Sequence, residues 1–444
     1  MDKTIDLESK VYKPLFFNKS IDSSQDQVIY ERLRKMCEDM GNNCWDEYYK
    51  FGYETFGMIL IGYCQWLIKQ LQMEKIEKVF FFSRDGYILK EAFQKFEESK
   101  NFQVEYIYVS RRSLRVPQIF LKPEKKYDAI VSTTYVSISD LMYSIGLEPI
   151  NYVDLLKKYD LCLNDVIKDT DIENSRNVSC FIDEIWDDVI RNSKREYTFL
   201  KGYLSKFDFS GKTAVVDIGW RGSMQLFLNN LLQHMDINCE LYGYYITLTS
   251  TMVKGLNMKG YYGNVSGNGT GCDSLRGYTG LIETLFLKTE GSTKKYNYDG
   301  RNYTYELEEY EYSDKDEYAS ELESVKQIQE GALKFVNDFI KTNNDKTIIS
   351  YQCAFYNLSR FANYPTLHNV KMFGNFRFNN GSITYLAKAQ PFYKYIFNLK
   401  KLKSDLYGCR WRVGFLKDLF KIPFPYYSLF EFLMKLAFSL SERE

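Results

Sequence analysis

Zinc-binding motifs are lacking in this sequence of 444 residues. It has only two histidines, and its nine cysteines stand singly with no CxxC pair, which argues against a structural zinc site. The odd number and wide scatter of the cysteines fit reduced thiols, so we expect a cytoplasmic protein. An excess of one charge is lacking too, because 58 basic and 58 acidic residues cancel. That balance provides no overall attraction to nucleic acid.

Long apolar runs are missing as well. Residues 1–13 include acids and have no apolar core, so they do not resemble a signal peptide. The best apolar stretch, 56–68, falls short of the roughly 18 residues that a membrane-spanning helix needs and favours a buried core helix. Aromatic residues, by contrast, are plentiful at 17%. Tyrosine suits contacts with sugars or lipid interfaces, although a bias in codon usage also explains this composition.

Short apolar runs alternate with segments of helical period through the first part of the chain. Runs at 79–82, 104–109, 213–216 and 241–248 are typical of strands that are buried on both faces of a parallel sheet. Between the second and third runs, apolar residues recur at helical spacing. The pattern predicts an α/β fold with a doubly wound, mostly parallel sheet, a helical insert and a mostly helical C-terminal region.

We predict six segments along the chain. They are a lead-in at 1–44, the first part of the core at 45–114, a helical cap insert at 115–207, the second part of the core at 208–250, an irregular and β-hairpin extension at 251–316, and a helical C-terminal region with a basic and aromatic tail at 317–444. The hairpin is expected where alternating aromatic residues flank Asp299-Gly300.

Two segments place a carboxylate just past an apolar run: Arg84-Asp85-Gly86 and Asp217-Ile218-Gly219. Ligands of open parallel sheets bind past the carboxyl ends of the strands. Each glycine lets the backbone approach a ligand closely, and the helix that follows favours an anion such as phosphate. The two carboxylates would repel each other unless a proton or a cation lay between them, a need that Mg²⁺ with phosphate meets. The alternative is that both acids are helix caps.

Further residues are candidates for the same site. Arg84 and Arg221 are suited to neutralise phosphate oxygens. Arg111 follows the second predicted strand and is a candidate phosphate ligand, with a solvated surface residue as the alternative. Glu283 lies in the apolar segment 281–287. Because an unpaired buried carboxylate is costly, Glu283 is expected either to have an arginine or metal partner or to face water.

The segment VFFFSRDGYIL at 79–89 resembles the first motif of the haloacid-dehalogenase-like (HAD-like) superfamily, an apolar strand that ends in Asp-x-Asp-Gly. In this resemblance Ser110 matches the phosphate-binding Ser or Thr of the second motif. Lys212 stands in for the phosphate-binding Lys or Arg of the third, and Asp217 matches the metal-binding acid of the fourth. The pair FFSRDGY and VVDIGWRGS is more narrowly similar to predicted HAD-type hydrolases associated with bacterial surface-polysaccharide biosynthesis. The segments 282–286 and 363–366 extend that similarity.

The resemblance implies a HAD-like, Rossmannoid core and a phosphatase or phosphotransferase. Its substrate would be a sugar phosphate or another phosphorylated intermediate of polysaccharide biosynthesis. Mg²⁺ would lie near Asp85 and Asp217, and Arg84, Ser110 and Lys212 would hold phosphate. The helical insert would act as a cap that excludes water.

One position departs from the family pattern, because Ser83 stands where the superfamily has its aspartate nucleophile. A serine cannot form an aspartyl-phosphate. Three alternatives follow: Ser83 acts as a nucleophile with Asp85 as its base and a metal on Asp217; Asp85, Asp217 and Glu283 act without a covalent intermediate; or the core only binds a phosphorylated ligand. The last makes the chain an inactive phosphosugar-binding or assembly module. A glycosyltransferase-like enzyme that binds a nucleotide sugar is a further alternative.

The C-terminal region carries a signal of its own. Residues 386–421 hold nine lysines and arginines against two aspartates, and an aromatic-rich amphipathic segment follows at 424–438. Such a sequence suits an anionic membrane surface. We therefore expect peripheral contact through 386–440 with the inner face of the membrane. The alternative is that this segment docks on the protein's own core.

Overall fold

A computed structural model describes residues 24–40, 45–130, 135–249, 252–262, 275, 277–310, 318–342, 347–379 and 383–430. Its α-helices are α1 (Ser24–Met40), α2 (Glu47–Phe51), α3 (Gly57–Glu74), α4 (Gly86–Phe93), α5 (Arg111–Arg115), α6 (Lys126–Ala129), α7 (Ile138–Ser144), α8 (Val153–Lys158), α9 (Arg176–Leu204), α10 (Ser223–His234), α11 (Thr279–Phe286), α12 (Tyr318–Thr342), α13 (Tyr351–Asn363), α14 (Leu367–Phe373), α15 (Tyr393–Ile396), α16 (Leu399–Gly408) and α17 (Arg412–Phe420). Its strands are β1 (Lys78–Phe82), β2 (Gln103–Ile107), β3 (Tyr135–Ser137), β4 (Val166–Lys168), β5 (Gly211–Trp220), β6 (Cys239–Leu248), β7 (Asn257–Tyr262), β8 (Thr293–Tyr298), β9 (Tyr303–Leu307), β10 (Arg377–Asn379) and β11 (Ile383–Tyr385).

The central sheet has five strands in the order β2-β1-β5-β6-β7, and all of its neighbouring pairs are parallel. The α/β class and the parallel sheet are therefore confirmed, and the four predicted strands lie in it. The fifth strand, β7, corrects the sequence prediction, which gave an irregular chain there. Its sequence NMKGYY lacks the continuous apolar run that marks the other strands, because Lys259 and Gly260 interrupt it.

Helices cover both faces of this sheet, and the apolar run of β1 shows why. Val79 and Phe81 belong to one buried cluster, which includes apolar residues of α3 and α4. Phe80 and Phe82 point the other way, into a cluster with residues of α9 and α10. Burial of each large apolar side chain contributes roughly 1.5–3 kcal/mol. A strand with two such faces is stable only between two helical layers.

The order of the strands creates a switch point between β1 and β5. From β1 the chain proceeds outward to β2, whereas from β5 it proceeds in the opposite direction through β6 to β7. At such a point, the connections that leave two adjacent strands diverge and open a crevice at their carboxyl ends. The two acidic segments singled out from the sequence follow the paired parts of these two strands.

The insert between β2 and β5 has its own apolar cluster, formed by residues between 116 and 190. Helices dominate it, as predicted, although β3 and β4 add a small antiparallel ribbon. The long helix α9 returns the chain to the core. Its residue Glu196 accepts hydrogen bonds at 3.2 Å from both Nη atoms of Arg112 on α5, which joins insert and core.

Two further elements complete the structure around the sheet. The predicted hairpin is confirmed: β8 pairs with β9 in antiparallel fashion, and Asp299 and Gly300 lie between them. Helices α12 and α13 pack against α3 in the largest apolar cluster, together with α17. Among the described residues, no helix is both long and apolar enough to cross a membrane. The part of the predicted amphipathic tail after residue 430 lies outside the described residues, as do residues 1–23 of the predicted lead-in.

Candidate functional site

Asp85 and Asp217 lie at the switch point of the sheet. Phe81 is paired with Val216, so Asp217 stands one residue beyond the last pair between β1 and β5. Asp85 comes just after β1, directly before α4. The sequence predicts Asp217 in a loop past the end of its strand. This prediction is wrong, because β5 continues to Trp220 by pairing with β6. Asp217 therefore has the rigid backbone of a strand beneath it.

Two glycines bring these backbones close together. A Cβ atom on Gly86 would lie 3.2 Å from the main-chain carbon of Phe81 and 3.3 Å from the oxygen of Val216. The first turn of α4 thus packs directly on the ends of β1 and β5. Gly219 has a φ of +118°, and a Cβ there would lie 2.1 Å from the oxygen of Thr247. Glycine is thus required at position 219, and at position 86 it relieves a tight contact.

The carboxyl groups at this position perturb one another. Burial, followed by the charge of Asp85, raises the pKa of Asp217 to about 7. Burial and the charge of Asp85 also raise the pKa of Glu283, on α11, to about 7. Glu283 in turn contributes to the raised pKa of Asp217. The three acids that the sequence placed far apart are therefore brought together by the fold.

Cations partly offset this concentration of negative charge. The charge of Arg111 lowers the pKa of both Asp217 and Glu283. Arg410, from the loop between α16 and α17, has a larger effect than Arg111 on Glu283. Sequence reasoning named Arg111 but missed Arg410, which lay in a stretch predicted to contact a membrane or to dock on the protein's own core.

Trp220 is a second residue that the sequence did not single out. It follows Gly219 with a φ of +77°, an unusual conformation for a tryptophan. Its indole is close enough to Glu283 to lower the pKa of that carboxyl. Among the described residues, however, its buried Nε1 atom meets no acceptor in hydrogen-bond geometry. A polar N–H beside an acid is thus available to a bound ligand.

Helix capping does not account for the two acids. Asp85 occupies the N-cap position of α4, but its side chain makes no capping hydrogen bond. Asp217 lies within β5 rather than at the start of a helix. Neither carboxyl therefore caps a helix, which was the alternative to a functional role.

The hydroxyl of Ser83 has a structural role. Its Oγ donates to the oxygen of Val109 at 2.9 Å and accepts from the nitrogen of the same residue at 3.1 Å. The main-chain nitrogen of Ser83 also donates to the oxygen of Ile107. These bonds extend the junction between β1 and β2 beyond the strands. A hydroxyl held in this way is poorly placed to lose its proton to Asp85.

Ser110 is also engaged in local structure. Its Oγ accepts from the nitrogen of Ser113 at 3.0 Å, which caps α5, and donates to the oxygen of Thr293 at 2.6 Å. Arg84 donates from Nη1 to the oxygen of Glu290 at 3.1 Å. Both residues thus contact the segment that leads into β8, which closes over the carboxyl ends of β1 and β2.

The structure does not bring the remaining cations into one place. Lys212 lies near the beginning of β5, at the end of the sheet opposite Asp217, and donates to the oxygen of Glu74 at 3.1 Å. Lys212 is therefore left out of the site proposed below. Arg221 is exposed just after β5, close in sequence to Gly219 and Trp220.

Lys288 occupies an aromatic enclosure beside Arg84. Its Nζ atom lies 4.7 Å from the ring centre of Tyr87, 5.1 Å from that of Tyr106 and 5.5 Å from that of Tyr108. It also pairs with Glu290 at 2.8 Å. These cation–π contacts hold the segment that leads into β8 against the sheet.

The acids fit a magnesium ion only as a site with two carboxylates. Asp85 and Asp217 offer the hard oxygen ligands that Mg²⁺ prefers, and their mutual repulsion is what a divalent cation relieves. In the described ranges, no three His, Cys, Asp or Glu side chains converge closely enough to hold a metal by themselves. Water and phosphate oxygens would have to complete the coordination, as is common for Mg²⁺.

A separate cavity of about 880 Å³ lies elsewhere, between α1, α2, α13 and the C-terminal region. Residues 363–366, which the resemblance singled out, form part of its wall. None of the three acids of the switch point lines it. The cavity therefore belongs to a different part of the surface.

Comparison with models of known protein families and with curated proteins finds no match for this chain. The HAD-like assignment accordingly rests on the motifs of the sequence.

Proposed function

We propose that the chain is a HAD-like phosphatase or phosphotransferase that acts on a sugar phosphate or another phosphorylated intermediate of polysaccharide biosynthesis. One observation carries this proposal. Asp217 and Glu283 share the switch point with Asp85, and both have a pKa of about 7. The charge of Arg111 acts on both acids, and that of Arg410 acts on Glu283. Carboxyl groups that titrate near neutral pH are suited to give and take protons.

The chemistry we propose has no covalent intermediate. Near neutral pH, Asp217 and Glu283 are each protonated in only a fraction of the molecules. One carboxyl can therefore be ionised while another is protonated. Water attacks the phosphorus atom and gives its proton to the ionised carboxylate. The bond from phosphorus to the sugar oxygen breaks, and that oxygen takes the proton of the other carboxyl. In a transferase, an acceptor hydroxyl replaces the water.

The cations and the metal would act on the phosphate. Arg111 is exposed at the start of α5 and would pair with phosphate oxygens, as would Arg84 at the carboxyl end of β1. Mg²⁺ bound by Asp85 and Asp217 would neutralise phosphate charge as it develops during the reaction. The bonds of Ser83 to Val109 favour this scheme over one with a serine nucleophile.

The first test is phosphate release from a panel of sugar phosphates, with and without Mg²⁺. We expect Asp85→Asn and Glu283→Gln to lower kcat by about 100-fold or more, because the first removes a carboxylate of the proposed Mg²⁺ site and the second a proton-transferring group. Ser83→Ala should retain most of the activity of the wild type. The exposed Asp187 provides a matched control, and Asp187→Asn should leave kcat unchanged. A Ser83→Ala variant that is as inactive as Asp85→Asn would contradict the scheme without a covalent intermediate.

A binding module is the second candidate, and one observation favours it. Both family positions at the end of β1 and β2, Ser83 and Ser110, have their hydroxyl groups engaged in local hydrogen bonds. Calorimetry with the same sugar phosphates separates the candidates. Binding without turnover, with equal affinity in the wild type and in Asp85→Asn, would identify a module that recognises phosphosugars.

A further inference from the structure

A large apolar surface is exposed in the C-terminal region. Phe397 is 97% exposed, Leu399 71% and Tyr393 66%. We call the following exposed residues the C-terminal patch: Phe392, Tyr393, Ile396, Phe397, Leu399, Tyr407, Phe420, Ile422 and Phe424. Single exposed apolar residues are ordinary on protein surfaces, whereas a concentration in one region marks an interaction site.

The first residue of the patch touches one near its end in sequence, and the patch has a folded support. The ring of Phe392 lies 5.5 Å from that of Phe420, which joins its two ends in sequence. Tyr395 is buried beneath it, with its ring 6.4 Å from that of Phe415 and its hydroxyl donating to Asp405 at 2.8 Å. The exposed side chains therefore project from an ordered base.

The charges around the patch have one sign. Every exposed charged residue between 388 and 424 is a lysine, namely Lys388, Lys394, Lys400, Lys401, Lys403 and Lys421. Both acids of this segment are half-buried and bonded to neighbouring groups. Asp405 accepts from Tyr395 and pairs with Lys401 at 3.5 Å. Asp418 accepts from the main-chain nitrogen of Ala389 at 2.9 Å.

We infer that the C-terminal patch docks on the surface of a lipid bilayer that contains anionic lipids. Apolar side chains surrounded by lysines match such a bilayer, where negative head groups lie above hydrocarbon. A second copy of this chain is a poor occupant, because a two-fold contact would bring the same lysines face to face. The inference does not rest on the function proposed for the carboxyl groups.

The test is sedimentation of the whole chain with vesicles. We expect binding to vesicles of phosphatidylglycerol and phosphatidylcholine, weaker binding to phosphatidylcholine alone, and weakening when salt rises from about 0.1 M to about 0.5 M. Two double variants, Phe397→Ser with Leu399→Ser and Lys400→Glu with Lys403→Glu, should each reduce binding by about tenfold or more. All four side chains are exposed, so thermal unfolding should match the wild type.

A matched control uses exposed apolar residues of the insert. Ile150 is 72% exposed and Val166 65%, and their joint replacement by serine should leave vesicle binding unchanged. The inference is overturned if the wild type ignores anionic vesicles at low salt or if the patch variants bind as the wild type does. A concentration-dependent dimer that disappears in the Phe397→Ser, Leu399→Ser variant, without vesicle binding, would also overturn it and assign the patch to self-association.

Discussion

At the scale of single residues, the unusual feature is a pair of carboxyl groups that titrate near neutral pH. An aspartate in water loses its proton near pH 4, so the raised pKa of Asp217 reflects the unfavourable free energy of ionising a buried carboxyl, and one that lies next to Asp85. This free energy is supplied by the rest of the fold. Residues that reduce stability in this way are common at functional sites.

This cost gives a prediction for stability as a function of pH. Between the unfolded pKa of about 4 and the folded pKa of about 7, the folded state binds more protons, so its stability falls as pH rises. Asp217→Asn removes the ionisation. We expect the stability advantage of this variant over the wild type to be about 3 kcal/mol larger at about pH 8 than at about pH 5.

Urea unfolding at both pH values measures this effect. Asp187→Asn is again the control, because Asp187 is exposed. Equal free energies of unfolding for Asp217→Asn and the wild type at the higher pH would show that Asp217 ionises without penalty.

The sequence predicted the acids of the site better than its cations. Asp85 and Asp217 each follow an apolar run, and the carboxyl ends of parallel strands share one edge of a sheet. Arg410 reaches Glu283 only through long-range packing, which no local pattern encodes. Lys212 was assigned to phosphate although it stands at the beginning of its strand, and the beginnings of parallel strands lie at the opposite edge of the sheet.

At the scale of elements, β5 links strand geometry to the site. It pairs with β1 only as far as Val216, but with β6 as far as Trp220. The unpaired side of its last residues faces the crevice. Gly219 permits this extension because the backbone of β6 leaves no room for a Cβ atom at this position.

A comparison of two glycines in β5 tests whether Gly219 is needed for the close approach of β5 to β6. Both have positive φ, +118° for Gly219 and +70° for Gly211, but only at Gly219 would a Cβ meet neighbouring atoms. We expect Gly211→Ala to cost about 1 kcal/mol from backbone strain alone and Gly219→Ala to cost about 3 kcal/mol or more. Denaturant unfolding gives both values. Equal costs would mean that β6 moves aside without penalty.

Elements with a strong period were predictable, and those that depend on context were not. Strands β1 and β5 are apolar on both faces, so their runs identify them. Strand β7 carries Lys259, whose ammonium group bonds to Glu74 on α3 at 2.7 Å. A charged residue that finds its partner on another element interrupts the apolar pattern and conceals the strand.

At the scale of the whole molecule, one buried ion pair connects the insert to the core. The side chains of Arg112 and Glu196 are 11% and 5% exposed. Arg112 also lies 5.0 Å from the ring centre of Tyr143 on α7. Loss of one partner would leave the other charge buried, which is strongly unfavourable.

We therefore expect Glu196→Gln to destabilise the protein by about 3 kcal/mol. Amide hydrogen exchange should accelerate in α9 and α7 before it does in β1 and β5. Asp154→Asn removes an exposed pair with Lys157 in the same insert and serves as the control, with little change expected. Uniform acceleration across insert and sheet would show that the two parts unfold as one unit.

The position of Arg410 has a consequence for the order in which the site is completed during synthesis. On the ribosome the chain emerges from its N-terminus, so Asp85, Asp217 and Glu283 leave the exit tunnel well before Arg410. A nascent chain that stops short of the loop after α16 holds all three acids without this arginine. Completion of the site thus waits until Arg410 has been synthesised, and a product terminated before that residue would carry an electrostatically unbalanced crevice.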